Sequence, residues 1–174
     1  MSGLTPPVSD TDHRSGPEDA PVTVVEYGDF ECPSCGAAYP SVEQVRKKMG
    51  NRLRFVLRHF PLTQMHPHAM HAAGAAEAAG AQGKFWQMHG MLFEHQDALE
   101  DEDLIGYARA LRLDEKRFTS DVASEAYVKR IREDVGSGIH SGVNGTPTFF
   151  INGVRYDGSW EAPDLLRAVE SAAA

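Results

Sequence analysis

The chain has two cysteines, Cys32 and Cys35, and they stand three residues apart as Cys32-Pro33-Ser34-Cys35, where a strand-like run meets a helix-like one. The run before them, Val22-Thr23-Val24-Val25-Glu26-Tyr27, is β-branched and apolar enough for a buried strand, and Gly28 and Asp29 close it. After them Ala37, Ala38, Val42, Val45 and Met49 recur at helical spacing as far as Gly50, a stop signal. The spacing therefore puts Cys32 at a helix N-terminus with Pro33 in the first helical position, where proline is favoured. Free backbone N–H groups and the positive end of the helix dipole stabilise a thiolate there. Such settings lower a cysteine pKa from about 8.5 to roughly 3.5–7.5. Cys35, one turn further on, is within reach for a disulfide. A dithiol so placed can close, reopen and attack other disulfides.

A length of 174 residues suits one domain, or a small fold carrying a large insertion. No run approaches the eighteen or so apolar residues of a membrane helix, so no membrane partner is expected. A net charge of −8 argues against nucleic acid or an anionic membrane surface as the main partner. Residues 1–20 are rich in Pro, Gly, Ser, Thr and Asp and read as a loose polar tail. They lack the basic start and apolar stretch of a secretory signal, so a cytoplasmic location is expected, or an extracytoplasmic one if a leader has been trimmed. In the cytoplasm a CxxC is more often catalytic or metal-binding than structural.

Leu53 to His59 reads as a second strand ending before Pro61. From about Thr63 to His140 the signals are helical. They comprise the alanine-rich stretch His68–Ala81 and Lys84–Glu94 with Phe85, Met88, Leu92 and Phe93 on one face. A helix capped by Asp101 or Asp103 follows, then a short one capped by Asp114. Another, capped by Ser124, ends near Gly136 and Gly138. Strand character returns at Thr148–Ile151, followed by the hairpin signal Asn152-Gly153, Val154–Tyr156, and a final helix capped by Ser159. The order is β-α-β, four or five helices, then β-β-α. The expected division is a tail over 1–20, a helical subdomain over 63–140, and one α/β unit formed by 21–62 and 141–174.

That order, with CxxC opening the first helix, resembles the thioredoxin fold, and the helical insertion resembles the DsbA-like branch of that superfamily. The likeness is carried by Glu26 six residues before Cys32, Pro40 eight after it, and Phe60-Pro61-Leu62 followed by His66-Pro67. It is carried most closely by Gly145-Thr146-Pro147-Thr148-Phe149-Phe150-Ile151-Asn152-Gly153. The resemblance covers about residues 20–173. It implies an α/β thioredoxin fold and a thiol–disulfide oxidoreductase in which Cys32 attacks and Cys35 resolves. It further implies that Glu26 is a buried proton acceptor for Cys35, and that a cis Thr146-Pro147 loop faces the dithiol and pairs with substrate backbone. Protein or small thiols and disulfides are the implied substrates, and a separate redox partner resets the pair. No cofactor is needed, because two cysteines carry two electrons, and a monomer is expected. One position departs from the pattern: better-known oxidising members carry histidine before the second cysteine, and this chain has Ser34. The implied potential is less oxidising.

Each residue also has an alternative reading. Cys32 and Cys35 could be half of a zinc site completed by histidines such as His66, His68 and His71, although a structural zinc takes four ligands and no second CxxC exists. Glu26 could face water on an edge strand, and Pro147 could simply start a strand. His89 and His95 read as unremarkable surface or partly buried residues. Phe85, Trp86, Met88, Met91, Leu92 and Phe93 read as packing for the insertion, with a substrate groove as the alternative. The whole chain could also be a non-redox interaction domain on the same fold.

Overall fold

The computed structural model describes residues 3–122 and 124–174, so the first two residues of the expected tail lie outside it. Strand β2 (Val22–Gly28) crosses through α1 (Pro33–Met49) to β3 (Leu53–His59), and the two strands pair in parallel. On the other side β2 pairs antiparallel with β4 (Thr148–Ile151), which turns into β5 (Val154–Tyr156). Asn152 and Gly153 make that turn with φ of 48° and 80°, both left-handed, as a type I′ hairpin requires. The sheet order is β1-β3-β2-β4-β5, where β1 (His13–Ser15) is an edge strand antiparallel to β3.

β2 lies in the middle because both of its faces have something to bury. Val22 and Val24 pack with Val42, Val45 and Met49 of α1 and with Leu165 and Val169 of α7 (Ala162–Ala173). Val25 and Tyr27 pack on the opposite face with Val56, Phe60, Val143 and Phe150. Continuous burial of this kind is what a parallel central strand needs. Glu26 is therefore on a central strand, not an edge.

Between β3 and β4 come α2 (Ala69–Gly80), α3 (Phe85–Glu94), α4 (Asp101–Ala110), α5 (Glu115–Val122) and α6 (Glu125–His140). The alanines of α2 let neighbouring helices close on it from several sides, and Ala72, Ala75, Ala76, Ala78 and Ala79 are fully buried. With Phe85, Met88, Leu92, Phe93 and Leu104 they form a core that also contains Phe30, Cys32 and Cys35. The insertion and the dithiol therefore share one apolar cluster.

Several boundaries differ from the sequence reading, each for a local reason. Helix α4 is capped by Glu100, which makes a reciprocal capping box with Asp103. Ser159 accepts the Glu161 N–H at 3.0 Å, but α7 starts later, at Ala162. Helix α6 runs through Gly136 and Gly138 to His140, because Gly138 is a contact point and not a stop. A Cβ there would lie 2.8 Å from the Phe60 ring and 3.1 Å from Tyr27.

The largest correction concerns the tail. Beyond the β1–β3 pairing, Gly3 bridges Val154, and Asp12 binds Arg58 through two contacts, Nε–Oδ1 at 2.9 Å and Nη2–Oδ2 at 3.0 Å. Arg58 sits at the end of β3 and also donates to the Tyr27 hydroxyl at 3.0 Å. Its side chain is 3% exposed and that of Asp12 is 6% exposed. A guanidinium buried this far must be paired, and the segment that looks featureless by composition supplies the partner. Asp12→Ala strands that charge and should cost about 3–5 kcal/mol of unfolding free energy in urea titrations, whereas Asp10→Ala, on an exposed acid, should cost almost nothing.

Candidate active site

After Gly28 the chain turns through Asp29, Phe30 and Glu31, and the Cys32 N–H donates to the Asp29 carbonyl at 3.1 Å. Cys32 is the N-cap of α1 in extended conformation, with Pro33 in the first turn. Pro33 and Ser34 are exposed, whereas Cys32 is 6% and Cys35 0% exposed. The Thr146–Pro147 peptide is cis, and the Cys32 thiol donates to the Thr146 carbonyl at 3.6 Å. The Thr146 hydroxyl is buried, has no other hydrogen-bond partner, and faces the same sulfur.

These neighbours drive the two thiols apart. The Cys32 pKa is brought down to about 5, chiefly by the hydrogen bond from Cys35, against the opposing effect of burial; Thr146 and the N–H groups of Ser34 and Cys35 add to it. Cys35 moves the other way, well above its ordinary value, through burial first and then its bond to Cys32 and the charge of Glu26. Glu26 is 3% exposed, and its carboxyl is pushed up to about 8 by burial and by Glu43, with Arg46 opposing and Cys32 contributing. One thiol lowered toward the thiolate, one buried thiol held protonated and an acid poised near neutrality thus lie together.

Residues that sequence patterns did not single out hold this turn in place. Gln96, in the connection after α3, donates from Nε2 to the carbonyls of Phe30 at 2.9 Å and Cys32 at 2.8 Å. Its Oε1 occupies the space a side chain at position 36 would need, so Gly36 lets the amide dock. Asp29 is buried and accepts N–H groups from Glu31 and Leu62, both at 2.8 Å, and from His66 Nδ1 at 2.7 Å. No local pattern announces the contacts made by Gln96, Leu62 and His66, because those partners are 33 to 66 residues apart.

The histidines separate. His66, His68 and His71 face three different carboxyls, Asp29, Glu31 and Asp101, so they form no common ligand set. His89 is not a surface residue: it is 1% exposed among Phe30, Trp86 and Phe93, and burial, then Arg46 and His59, lower its pKa to about 3. A cluster that the sequence reading missed joins His13, His59 and Glu77. Both imidazoles contact Glu77 Oε2 through Nε2, at 2.9 Å for His59, and Arg130 lies 3.8 Å from Oε1. Ligands around a tetrahedral zinc stand roughly 3.3 Å apart, given metal–nitrogen bonds of about 2.0–2.1 Å. Bonding a metal through Nε2 would also leave a proton on the buried, unpartnered Nδ1 of His59. The spacing is that of a hydrogen-bonded ion cluster tying α2 to β1 and β3. Phe85, Met88, Leu92 and Phe93 are core, with Trp86 and Met91 partly buried against it.

A sheet with this topology, a helical insertion and a dithiol at the start of the first helix are the architecture of a thioredoxin fold. A sequence model of the family described as thioredoxin matches residues 8–171, and the chain belongs to that family. Among solved structures it is similar to a thioredoxin-like oxidoreductase from Silicibacter pomeroyi, with 27% identity, a TM-score of 0.83, and coverage of 94% of this chain and 93% of that one. The fold is shared with BdbD of Bacillus subtilis (22% identity, TM-score 0.82, coverage 93% and 92%) and the thiol-disulfide exchange protein α-DsbA2 of Wolbachia pipientis (22%, 0.82, coverage 92% and 87%). Among curated proteins it is 52% identical over 169 residues to Na(+)/H(+) antiporter NhaA 1 of Salinispora arenicola, and 46% identical over 170 residues to NhaA 1 of Mycolicibacterium vanbaalenii. Those matches cover 97% of this chain but 26% and 28% of the relatives, so the chain spans about a quarter of their length. No helix among the described residues is long and apolar enough to cross a membrane.

Two substitutions test the electrostatics. Thr146→Val removes the hydroxyl that faces Sγ, and the thiolate absorbance near 240 nm should then titrate above the wild-type midpoint of about 5. Glu26 has a folded-state midpoint of about 8, against about 4.3 in an unfolded chain, so the folded state gives up stability as pH climbs through that interval. Glu26→Gln should therefore raise the melting temperature relative to wild type at pH 8.5 more than at pH 5.

Proposed function

We propose that the chain is a thiol–disulfide oxidoreductase acting on protein or small-molecule thiols and disulfides. The observation that carries this reading is the placement of the two thiols one turn apart at the N-terminus of α1, with Cys32 Sγ against the Thr146 carbonyl; the opposite displacement of their titrations supports it. The Cys32 thiolate attacks one sulfur of a substrate disulfide. The S–S bond breaks, the other sulfur leaves as a thiolate and takes up a proton, and a mixed disulfide remains on Cys32. Glu26 accepts the Cys35 proton, and the new thiolate attacks Cys32 Sγ, releasing the second substrate thiol and closing Cys32–Cys35. The reverse sequence oxidises a substrate dithiol. The Thr146 backbone beside Sγ is the proposed docking edge for an extended peptide. A second redox partner resets the pair after each turnover.

Insulin reduction with dithiothreitol tests the reading. Wild type should accelerate precipitation and Cys32→Ser should not, while Cys35→Ala should accumulate a mixed disulfide visible on non-reducing gels. Equal rates for wild type and Cys32→Ser would overturn it in favour of a non-redox domain. In glutathione buffers the potential should fall between about −270 and −120 mV, and Ser34→His should shift it toward the oxidising end by stabilising the thiolate.

The relatives favour a second element. Because the matched segment is about a quarter of proteins named as Na(+)/H(+) antiporters, we propose that this redox module serves a membrane transporter. Cys35→Ala expressed in the native host should then trap a transporter as a mixed disulfide in the membrane fraction. Trapping confined to soluble proteins would refute the association and leave the redox chemistry intact.

A further inference from the structure

Ser34 leaves the motif without a cation, and its side chain is exposed. A charge for the Cys32 thiolate has to come from elsewhere in the fold. The turn before α1 provides one through Asp29, whose side chain is 0% exposed. The Asp29 carbonyl accepts the Cys32 N–H, and its own N–H faces the Cys35 sulfur. Its Oδ1 accepts from Glu31 N–H, so the carboxyl also fixes the residue next to Cys32. Its Oδ2 accepts from Leu62 N–H and from His66 Nδ1–H, which sets the tautomer of that imidazole. The His66 N–H closes back onto the Leu62 carbonyl at 2.9 Å, so the ring is held from both ends of a short turn. Its side chain is 12% exposed, and it lies within electrostatic reach of Cys32.

We propose that Asp29 and His66 form the positioning pair for the attacking cysteine: Asp29 orients the imidazole and holds it cationic, and the imidazolium stabilises the Cys32 thiolate in place of the charge that Ser34 lacks. The inference rests on the reading of Cys32 as nucleophile. The groups facing His66 are Asp29, Glu31 and Cys32, all of them negative when ionised, and Glu31 is shared with His68 at 2.9 Å. Cys32 in turn is faced by Cys35, Thr146, Glu26 and, more weakly, His66. Burial pushes the His66 pKa down, but the bond and charge of Asp29, with Cys32 and Glu31 adding to them, reverse this and leave it raised. Between about pH 5 and the ordinary imidazole range the Cys32 thiolate and the cationic ring therefore coexist. Gln96 and Asp29 share the task differently: the amide fixes the carbonyls of the turn, and the acid fixes its N–H groups and its charge.

Thermodynamic reciprocity gives the test, because two coupled sites must shift one another by the same amount. The His66 Cε1–H resonance is titrated by NMR in reduced wild type and in Cys32→Ser, and the Cys32 thiolate is titrated by absorbance in wild type and His66→Gln. The His66 midpoint should fall when the thiolate is removed. The Cys32 midpoint should rise by a matching amount in His66→Gln, with at least a roughly three-fold loss of iodoacetamide reactivity at pH 5. His71→Gln, whose ring pairs with exposed Asp101, should change neither. Asp29→Asn should lower the His66 midpoint and raise that of Cys32. Midpoints that stay put in Cys32→Ser and His66→Gln would overturn the proposal, even if His66→Gln lowers stability, because a purely structural histidine does not move a remote titration. Matching shifts in a protein that fails to reduce insulin would overturn the redox reading and leave the pair standing.

Discussion

The start of α1 holds two sulfurs one turn apart in unlike surroundings, and much of the polar and apolar packing of the molecule meets at that point. A thiolate needs donors and a route to solvent; its partner needs to be dry. The helix terminus answers the first demand with backbone N–H groups and with Thr146 from across the sheet. The insertion answers the second, since both sulfurs border the apolar cluster of α2 and α3 but Cys35 is sealed completely within it. Burial that would be costly for one sulfur is thereby what keeps the other protonated.

The polar contacts around this point share a pattern. Gln96, Asp29, Asp12 and Glu77 each reach from one segment into a distant one to satisfy a group that the fold has buried. The contact of Asp12 ties the N-terminal segment to β3. Those of Gln96, Asp29 and Glu77 lie along the seam between the sheet and the added helical segment, where apolar packing alone would leave the relative placement of the two layers loose. Buried hydrogen-bonded groups are intolerant of misplacement, so they fix that placement where hydrophobic contacts would allow sliding. Gly138 does the steric counterpart by letting α6 settle against Tyr27 and Phe60.

Much of the fold was legible because its signals are local. β-branched runs marked β2 and β3, Asn152-Gly153 marked the hairpin, and alanine-rich and amphipathic spacing marked the insertion. The dithiol was legible for the same reason, as four adjacent residues between a strand and a helix. What could not be read is whatever depends on a distant partner. β1 is three polar residues whose strand state exists only through pairing with β3. Glycine in α6 looked like a stop because sequence shows its flexibility and hides the ring it makes room for. Histidines looked interchangeable until their separate carboxyl partners were in place, and His89 looked ordinary although aromatic rings enclose it.

The two residues between the cysteines project into solvent, while almost everything that shapes the sulfurs from below is packed. This divides the molecule into a part that inheritance must keep and a part it is free to vary. Exchanging the side chain at position 34 touches no buried contact, so a change there draws little on the stability of the fold. The supporting turn has no such freedom, because each of its groups serves the fold and the chemistry at once. Variation can therefore accumulate at the rim of the dithiol at little structural cost, whereas a change in its foundation disturbs several buried contacts at once.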